Sequence, residues 1–120
     1  MDYEKAFLTQ LKNFVVELRK LYPDDEIFRI SEYYLKLYST TDPSTIIDFF
    51  KTYSEKFKKY IEDENEDFFI SHDNYVTNQT DYTSTVILRL KTYWNELKNS
   101  NKKIIWKYLK VLVILSEKCI

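Results

Sequence analysis

The last stretch of the chain, residues 101–120, reads NKKIIWKYLKVLVILSEKCI and is its most apolar segment. On the 3.6-residue period of a helix, its apolar residues form two adjacent rows, which make a wide face. Lysines and Glu117 leave only a narrow polar stripe, interrupted by Ile114, and Ser100 stands where a side-chain oxygen could cap the first free amides. The pattern predicts a mostly buried helix at the centre of the fold. The two rows are Ile105, Leu109, Leu112 and Cys119, and Ile104, Tyr108, Val111 and Leu115.

The longest uninterrupted apolar run in this stretch, residues 111–115, is five residues long. A bilayer-spanning helix needs roughly 20 apolar residues, so the stretch does not predict a membrane span. The first residues include Asp2 and Glu4, where a secretory signal would be basic and then apolar. Cys119 is the single cysteine and cannot form an internal disulfide. We therefore expect an intracellular protein without membrane contact.

Composition limits both the fold and its chemistry. The chain has 120 residues, 44% of them hydrophobic and 18% aromatic, which is enough for one domain, residues 1–120, with a real core. It has no glycine. The absence of glycine excludes the glycine-rich loops that cradle phosphates and dinucleotides, and it removes the common tight turns of β-hairpins. We expect a helical protein without a cofactor.

Three segments before the long connection described below show helical spacing. The first covers about residues 3–22 and ends because Pro23 follows. The second follows Asp25 and ends near Ser39, and the third begins with Asp42 as a capping carboxylate and Pro43 at the first helical position. In the second helix the predicted apolar face consists of Ile27, Ile30, Tyr34 and Leu37, widened by Phe28 and Leu35.

A long connection interrupts this pattern between residues 62 and 83. It begins with the acidic run EDENED, residues 62–67, and continues with a segment rich in Asn, Asp, Ser and Thr. Helical spacing resumes with Val86 and ends at Asn99, after which the last helix forms a tight hairpin with the fourth. The predicted fold class is all-α, a single compact bundle of about five helices with a long acidic connection between helices three and four.

Charge is distributed unevenly although the net charge is only −1. Residues 61–81 carry seven Asp or Glu and no Lys or Arg, whereas residues 82–120 carry eight Lys or Arg and two Asp or Glu. We expect the acidic connection to lie near the basic last hairpin, so that the two charges cancel locally. The alternative is a basic surface that contacts phosphates or nucleic acid. Its candidate residues are Lys98, Lys102, Lys103, Lys107 and Lys110.

Catalytic and metal-binding patterns are weak. Ser71, His72 and Asp73 are the residue types of a hydrolase triad, but adjacent side chains diverge, whereas a triad needs side chains that converge from separate segments. The acidic run lacks the glycine turn and the alternating spacing of a calcium loop, and it is better interpreted as solvated. We expect neither an enzyme nor a metal protein.

The sequence FFISHDNY, residues 68–75, is the candidate interaction segment. Three consecutive large apolar residues beside an acidic run must either fill the core or remain exposed to a partner, because interfaces favour aromatic residues. We expect at least one phenylalanine to fill the core and residues 72–75 to be exposed. The candidate partner-binding residues are Phe68, Phe69, His72, Asp73 and Tyr75.

Three segments carry a resemblance to a known family: FLTQLKNFVVELRKLYPDD near the start, FFISHDNY in the middle and NKKIIWKYLKVLVILSEK at the end. They resemble short helical proteins encoded by large double-stranded DNA viruses of algae and protists. In the middle segment the chain departs from that family, because Asn74 separates Asp73 from Tyr75. The resemblance implies a small non-catalytic interaction or structural protein, virion-associated or otherwise inside the host cell. Its partner would be an unidentified viral or host protein.

Overall fold

Five long helices and one helix of a single turn make up the structure, a computed structural model that describes residues 2–70 and 82–119. No strand occurs in these two ranges. The Cα radius of gyration is 13.4 Å, close to the roughly 14 Å typical of a folded domain of this length. The predicted all-α class and compact bundle are confirmed. The helices are α1 (Tyr3–Leu21), α2 (Glu26–Tyr38), α3 (Pro43–Glu62), α4 (Asp67–Ile70), α5 (Tyr82–Tyr93) and α6 (Asn99–Lys118).

The helix starts follow the capping signals in the sequence at three places. Asp2 accepts a hydrogen bond from the Lys5 amide at 3.0 Å at the start of α1. Asp25 accepts one from the Ile27 amide at 2.9 Å at the start of α2, and Pro43 occupies the first turn of α3. A side-chain oxygen there satisfies an amide that would otherwise lack a partner, and proline loses no helical hydrogen bond at that position.

Two predicted caps and one predicted helix end are wrong. Asp42 accepts from the Thr45 hydroxyl at 2.8 Å and bonds no backbone amide. Ser100 lies inside α6, which begins one residue earlier at Asn99 without a side-chain cap. The α5 helix ends at Tyr93 and tightens into the 3₁₀ turn Trp94–Glu96, whose extra turn places Trp94 in the core.

The predicted core helix, α6, packs mainly against α1 and α3. Its inner face is buried as the sequence predicted for Ile105, Leu109 and Leu112. The Tyr108 ring stacks on the Phe14 ring of α1 with centroids 5.2 Å apart. The α1 helix also contacts α2 and α3, so α1 and α6 together form the centre of the bundle.

The end of α3 shows how the chain turns without glycine. The amide of Asn65 bonds the Tyr60 carbonyl at 2.9 Å, and the amide of Glu64 bonds the Ile61 carbonyl at 3.1 Å. This is the Schellman arrangement, which requires a left-handed residue just past the helix. Glu64 takes that conformation, with φ 50°, at a position where glycine is usual. The acidic connection therefore begins as an ordered turn.

Candidate functional site

Phe69, one of the predicted partner-binding residues, belongs to the core. Its side chain is only 1% exposed, and its ring stacks on Trp94 at 4.0 Å and packs against Trp106 at 5.2 Å between centroids. The prediction that at least one phenylalanine fills the core is confirmed. Because the Phe69 ring is buried, it offers no exposed surface for a partner, and a contact through Phe69 stays a prediction.

The side chain of Phe68 and the residues His72, Asp73 and Tyr75 lie outside the part of the chain that the structure describes. A partner contact through these residues stays a prediction.

The start of the acidic connection is bound through two carboxylates to Trp94 and to α6, whereas the predicted tight hairpin of α5 and α6 is wrong, because α5 packs mainly against α2, α3 and α4. Glu66 accepts hydrogen bonds from Trp94 Nε1 and from Lys102 Nζ, both at 3.1 Å. The bond from Lys102, followed by that from Trp94, lowers the pKa of Glu66 below its ordinary value. Glu64 pairs with Lys110. For the described start of the connection, these two ion pairs confirm the expectation that its acidic residues lie near the basic last helix.

These pairs divide the five lysines of the phosphate-binding alternative. Lys102 and Lys110 are already bound to carboxylates. Lys98, Lys103 and Lys107 are exposed, and no carboxylate of the described residues lies within salt-bridge distance of them. Three exposed lysines without an accompanying arginine give a weak electrostatic footprint, because phosphate recognition usually recruits arginine and a clustered basic patch.

A partly buried ionic cluster, which sequence reasoning missed, joins the start of α2 to the end of α5. Arg89 donates to Asp25 Oδ2 from Nε at 3.0 Å and from Nη2 at 2.6 Å. The Tyr93 hydroxyl donates to the same oxygen, while the other oxygen caps α2. The Tyr22 ring stacks on Tyr93 at 3.9 Å. An open cleft of about 570 Å³ lies beside this cluster.

We call the contacts of Asp25 with Arg89 and Tyr93 the Asp25 clamp. These contacts stabilise the ionised form of Asp25. Burial raises the pKa of Asp25, but hydrogen bonds from Arg89, Tyr93 and a backbone amide outweigh burial, so the net pKa is lowered. The hydrogen bond from Tyr93 to Asp25 is the main cause that raises the pKa of Tyr93. The hydrogen bonds from Arg89 to Asp25 are the main cause that raises the pKa of Arg89. All three pKa values therefore move away from neutrality, and the groups are unsuited to proton transfer at pH 7.

The α2 helix carries apolar residues on two opposite sides. Its inner side consists of Phe28, Ser31 and Leu35, all buried. Its outer side carries Ile30, Tyr33 and Leu37, which are 45%, 69% and 48% exposed. We call these three outer residues the α2 ridge.

The predicted apolar face of α2 was therefore partly wrong. Ile30 and Leu37 face solvent, whereas Ile27 and Tyr34 lie half-buried along the edge. The reason is tertiary: Phe28 packs near the rings of Tyr22 and Tyr93, with centroids 6.0 and 6.2 Å away, and the Asp25 clamp holds the start of the helix there. The sequence did contain a signal for the inner side, because Phe28 and Leu35 are seven residues apart, which is two helical turns and places them on one side of α2.

Ser31 is a buried polar group of unusual kind. It is fully buried on the inner side of α2, and its hydroxyl has no hydrogen-bond partner among the described residues. It lines a narrow apolar cavity of about 20 Å³, which is room for about one water molecule. A water needs two to four polar partners, and the cavity lining is mostly apolar.

Two further properties of the described residues bear on function. Over residues 2–70 and 82–119, every helix falls short of the length and apolarity that crossing a membrane requires. The same residues contain no group of three or more His, Cys, Asp or Glu side chains placed to hold a metal ion.

No protein-family model matches the chain, and searches of curated proteins and of solved structures give no match either. The α2 ridge and the charges around it are therefore the features from which function has to be inferred.

Proposed function

We propose that this protein is a small, non-catalytic interaction protein that binds a protein partner through the α2 ridge. The observation that carries this proposal is the exposure of Ile30, Tyr33 and Leu37 on the outer side of a helix whose inner side is fully buried. Their three- and four-residue spacing is the anchor pattern with which a helix contacts a groove or another helix. Tyrosine at the centre of such a row is typical of an interface hot spot.

Energetics set the minimum extent of such an interface. Burying a large apolar side chain completely contributes about 1.5–3 kcal/mol, so covering the exposed halves of three contributes on the order of 3 kcal/mol. Association costs roughly 4–15 kcal/mol in lost translational and rotational freedom. The ridge alone is therefore too small, and a stable contact must also use the residues along its borders.

The absence of catalysis is part of the proposal, and the Asp25 cluster supports it. Its carboxylate already accepts from Arg89, Tyr93 and the Ile27 amide, so its hydrogen-bonding capacity is largely used. A general acid or base needs a pKa near the working pH, and the pKa of Asp25 is lowered while that of Tyr93 is raised.

The phosphate-binding alternative has less support. Two of its five lysines, Lys102 and Lys110, neutralise Glu66 and Glu64 of the same molecule. A phosphate would have to displace these carboxylates or rely on the three other lysines. Retention on heparin at low salt, lost on substituting Lys98, Lys103 and Lys107 together, would be the result in its favour.

The cellular setting is also proposed. The resemblance of FLTQLKNFVVELRKLYPDD and FFISHDNY to viral proteins would make this chain a component of a large DNA virus that acts in the host cytoplasm or in the virion. The matching residues are mainly hydrophobic and turn signals.

Site-specific photo-crosslinking in the cells that produce the protein tests the proposal. A photoreactive phenylalanine analogue at Tyr33 should crosslink a discrete partner, and the same analogue at Leu37 should crosslink the same one. The matched control is Lys56, an exposed residue on α3, where the analogue should give no such product. Equal products from Lys56 and Tyr33, or none from Tyr33 and Leu37, would contradict a binding role for the ridge.

A further inference from the structure

The borders of the α2 ridge specify the chemistry of its partner. We infer that the ridge binds an amphipathic helix whose apolar seam is bordered by acidic residues. This inference rests on the proposed function and adds the class of partner. It follows from the charges beside the ridge and from the way in which two helices pair.

The three ridge residues form the seam of a potential helix pair. Ile30, Tyr33 and Leu37 are spaced by three and then four residues, the repeat that keeps side chains on one line between paired helices. Arg29 and Lys36 each come one residue before a seam residue and are seven residues apart. Because seven residues are two helical turns, Arg29 and Lys36 lie on the same border of the ridge.

The positive charges of Arg29 and Lys36 on this border are only partly neutralised by carboxylates of the described residues. Arg29 is exposed, and no carboxylate of the described residues lies within salt-bridge distance of it. Lys36 has a 69% exposed side chain and stands 3.6 Å from Glu32, a long ion pair. Glu32 is itself bound by Arg19 of α1. One carboxylate is thus shared between two cations, and Arg29 has none.

The opposite border is apolar. Tyr34 lies there, one residue past Tyr33, and Ile27 lies two helical turns before Tyr34 on the same side; both are half-buried against the bundle. A complementary helix therefore needs acidic side chains along one border only and apolar or small ones along the other. Complementary charge at such borders is what selects the partner and the orientation in paired helices.

A second copy of this chain fits the ridge poorly. In an antiparallel two-fold pair centred on Tyr33, equivalent borders face each other, so Arg29 of one copy would approach Lys36 of the other. Like charges at such positions are unfavourable. In a parallel pair the basic border would face Tyr34 and Ile27, which offer no carboxylate. Neither arrangement neutralises the basic border.

Two synthetic three-heptad peptides provide the test. Both carry the same leucine seam with alanine along one border, but along the other border one peptide has glutamate and the other has lysine. We expect the full-length protein to bind the glutamate peptide about five- to tenfold more tightly at low salt, since each exposed ion pair contributes modestly. The ratio should fall toward one in high salt, because exposed charges are screened.

Charge reversal makes the test specific to the border. The double variant Arg29→Glu, Lys36→Glu should prefer the lysine peptide, and Arg29→Gln, Lys36→Gln should bind the two peptides equally. Lys56→Glu on α3 changes charge elsewhere and should keep the original preference. Thermal melts of each variant should match the parent, because all three positions are exposed.

The outcomes separate the inference from the proposed function. If both peptides bind equally and charge reversal changes nothing, the acidic-border inference is overturned while a ridge that binds a helix remains. If neither peptide binds and Tyr33 yields no crosslink, both fall together. Concentration-dependent dimerisation through the ridge overturns the inference, and so does binding to phosphatidylserine vesicles that Tyr33→Ala abolishes.

Discussion

The helices α2 and α6 have similar sequences in one respect: each is apolar around most of its circumference. In α6 the inner face is buried mainly against α1 and α3, and Ile104 and Ile114 on its outer side are about half exposed. In α2 the apolar residues divide between a buried inner side and the exposed ridge. Similar apolar patterns thus produced a core helix, α6, and a helix with apolar residues on both a buried and an exposed side, α2.

The difference shows that an apolar helix needs neighbours on each side before it is buried. The α6 helix packs against two long helices, α1 and α3. The α2 helix lies at the outside of the bundle, where α1 and α5 cover one side of it. Which side faces inward is decided at its first turn, where the Asp25 clamp and Phe28 fix its rotation.

The largest expected difference is between two leucines. Leu112→Ala on α6 removes a side chain with 0% exposure from the centre of the core, so we expect the free energy of unfolding to fall by about 2–5 kcal/mol. Leu37→Ala on α2 removes a side chain that is 48% exposed and should lower it by less than about 1 kcal/mol.

Denaturant unfolding of the two variants measures this difference. Equal losses at Leu112 and Leu37 would mean that the outer side of α2 is covered in solution, contrary to the exposed ridge. Leu109→Ala, also at a fully buried site of α6, should reproduce the loss at Leu112.

Next in size is the loss of the clamp that fixes α2. Asp25→Asn removes the charge that accepts from Arg89 and Tyr93 in a buried position. Hydrogen bonds to charged groups contribute about 1.5–3 kcal/mol, and the partial exposure of Arg89 places the expected loss toward the lower end. Asp24→Asn, a change at the exposed neighbouring residue, should alter stability little. Hydrogen exchange should show faster opening of the first turn of α2 in the Asp25→Asn variant only.

The pH dependence of this loss has a definite sign. The pKa of Asp25 is lowered in the folded protein, so the folded state favours the ionised carboxylate more than the unfolded state does. Its contribution is complete above the unfolded pKa, about 4, and disappears as the pH falls through the lower folded value. The stability difference between the parent and Asp25→Asn should therefore shrink below about pH 4. A constant difference down to pH 2 would contradict the ionic clamp.

Local signals predicted most of the fold. Pro23, Pro43 and the caps at Asp2 and Asp25 set helix boundaries within a few residues of those observed, because the orphan amides of a first turn are satisfied by nearby side chains. Local composition also predicted that at least one of Phe68 and Phe69 fills the core, but it did not identify Phe69, which was a candidate partner contact as well.

The candidate site was harder to predict because its determinants are far apart in the chain. Asp25 and Arg89 are separated by 64 residues, and nothing in either segment marks the other as its partner. This contact and the burial of Phe28 and Leu35 accompany the rotation of α2 that leaves Tyr33 and Leu37 exposed. An apolar pattern predicts that a helix has a buried face, but with apolar residues on both sides it does not specify which face that is.

The smallest expected difference is between two buried serines, Ser31 on α2 and Ser116 on α6. Ser116 on α6 donates to the Val113 carbonyl at 2.9 Å, whereas the Ser31 hydroxyl on α2 has no partner among the described residues. An unsatisfied buried polar group costs about 1–3 kcal/mol, while a satisfied one contributes about 0.5–1.5 kcal/mol. Ser31→Ala should therefore raise the free energy of unfolding by about 1 kcal/mol. The free energy of unfolding of Ser116→Ala should be lower than that of Ser31→Ala.

Alanine favours a helix over serine by a few tenths of a kcal/mol at both sites, so the difference between the two variants is the quantity to measure. We expect Ser31→Ala to be more stable than Ser116→Ala by about 1–2 kcal/mol in thermal and denaturant unfolding. The reverse order would mean that the Ser31 hydroxyl is satisfied in solution, and the 20 Å³ cavity beside it would then be the place to look for a bound water. In that case the inner side of α2 would be as well satisfied as that of α6, and the contrast between the two helices would lie in the exposed ridge alone.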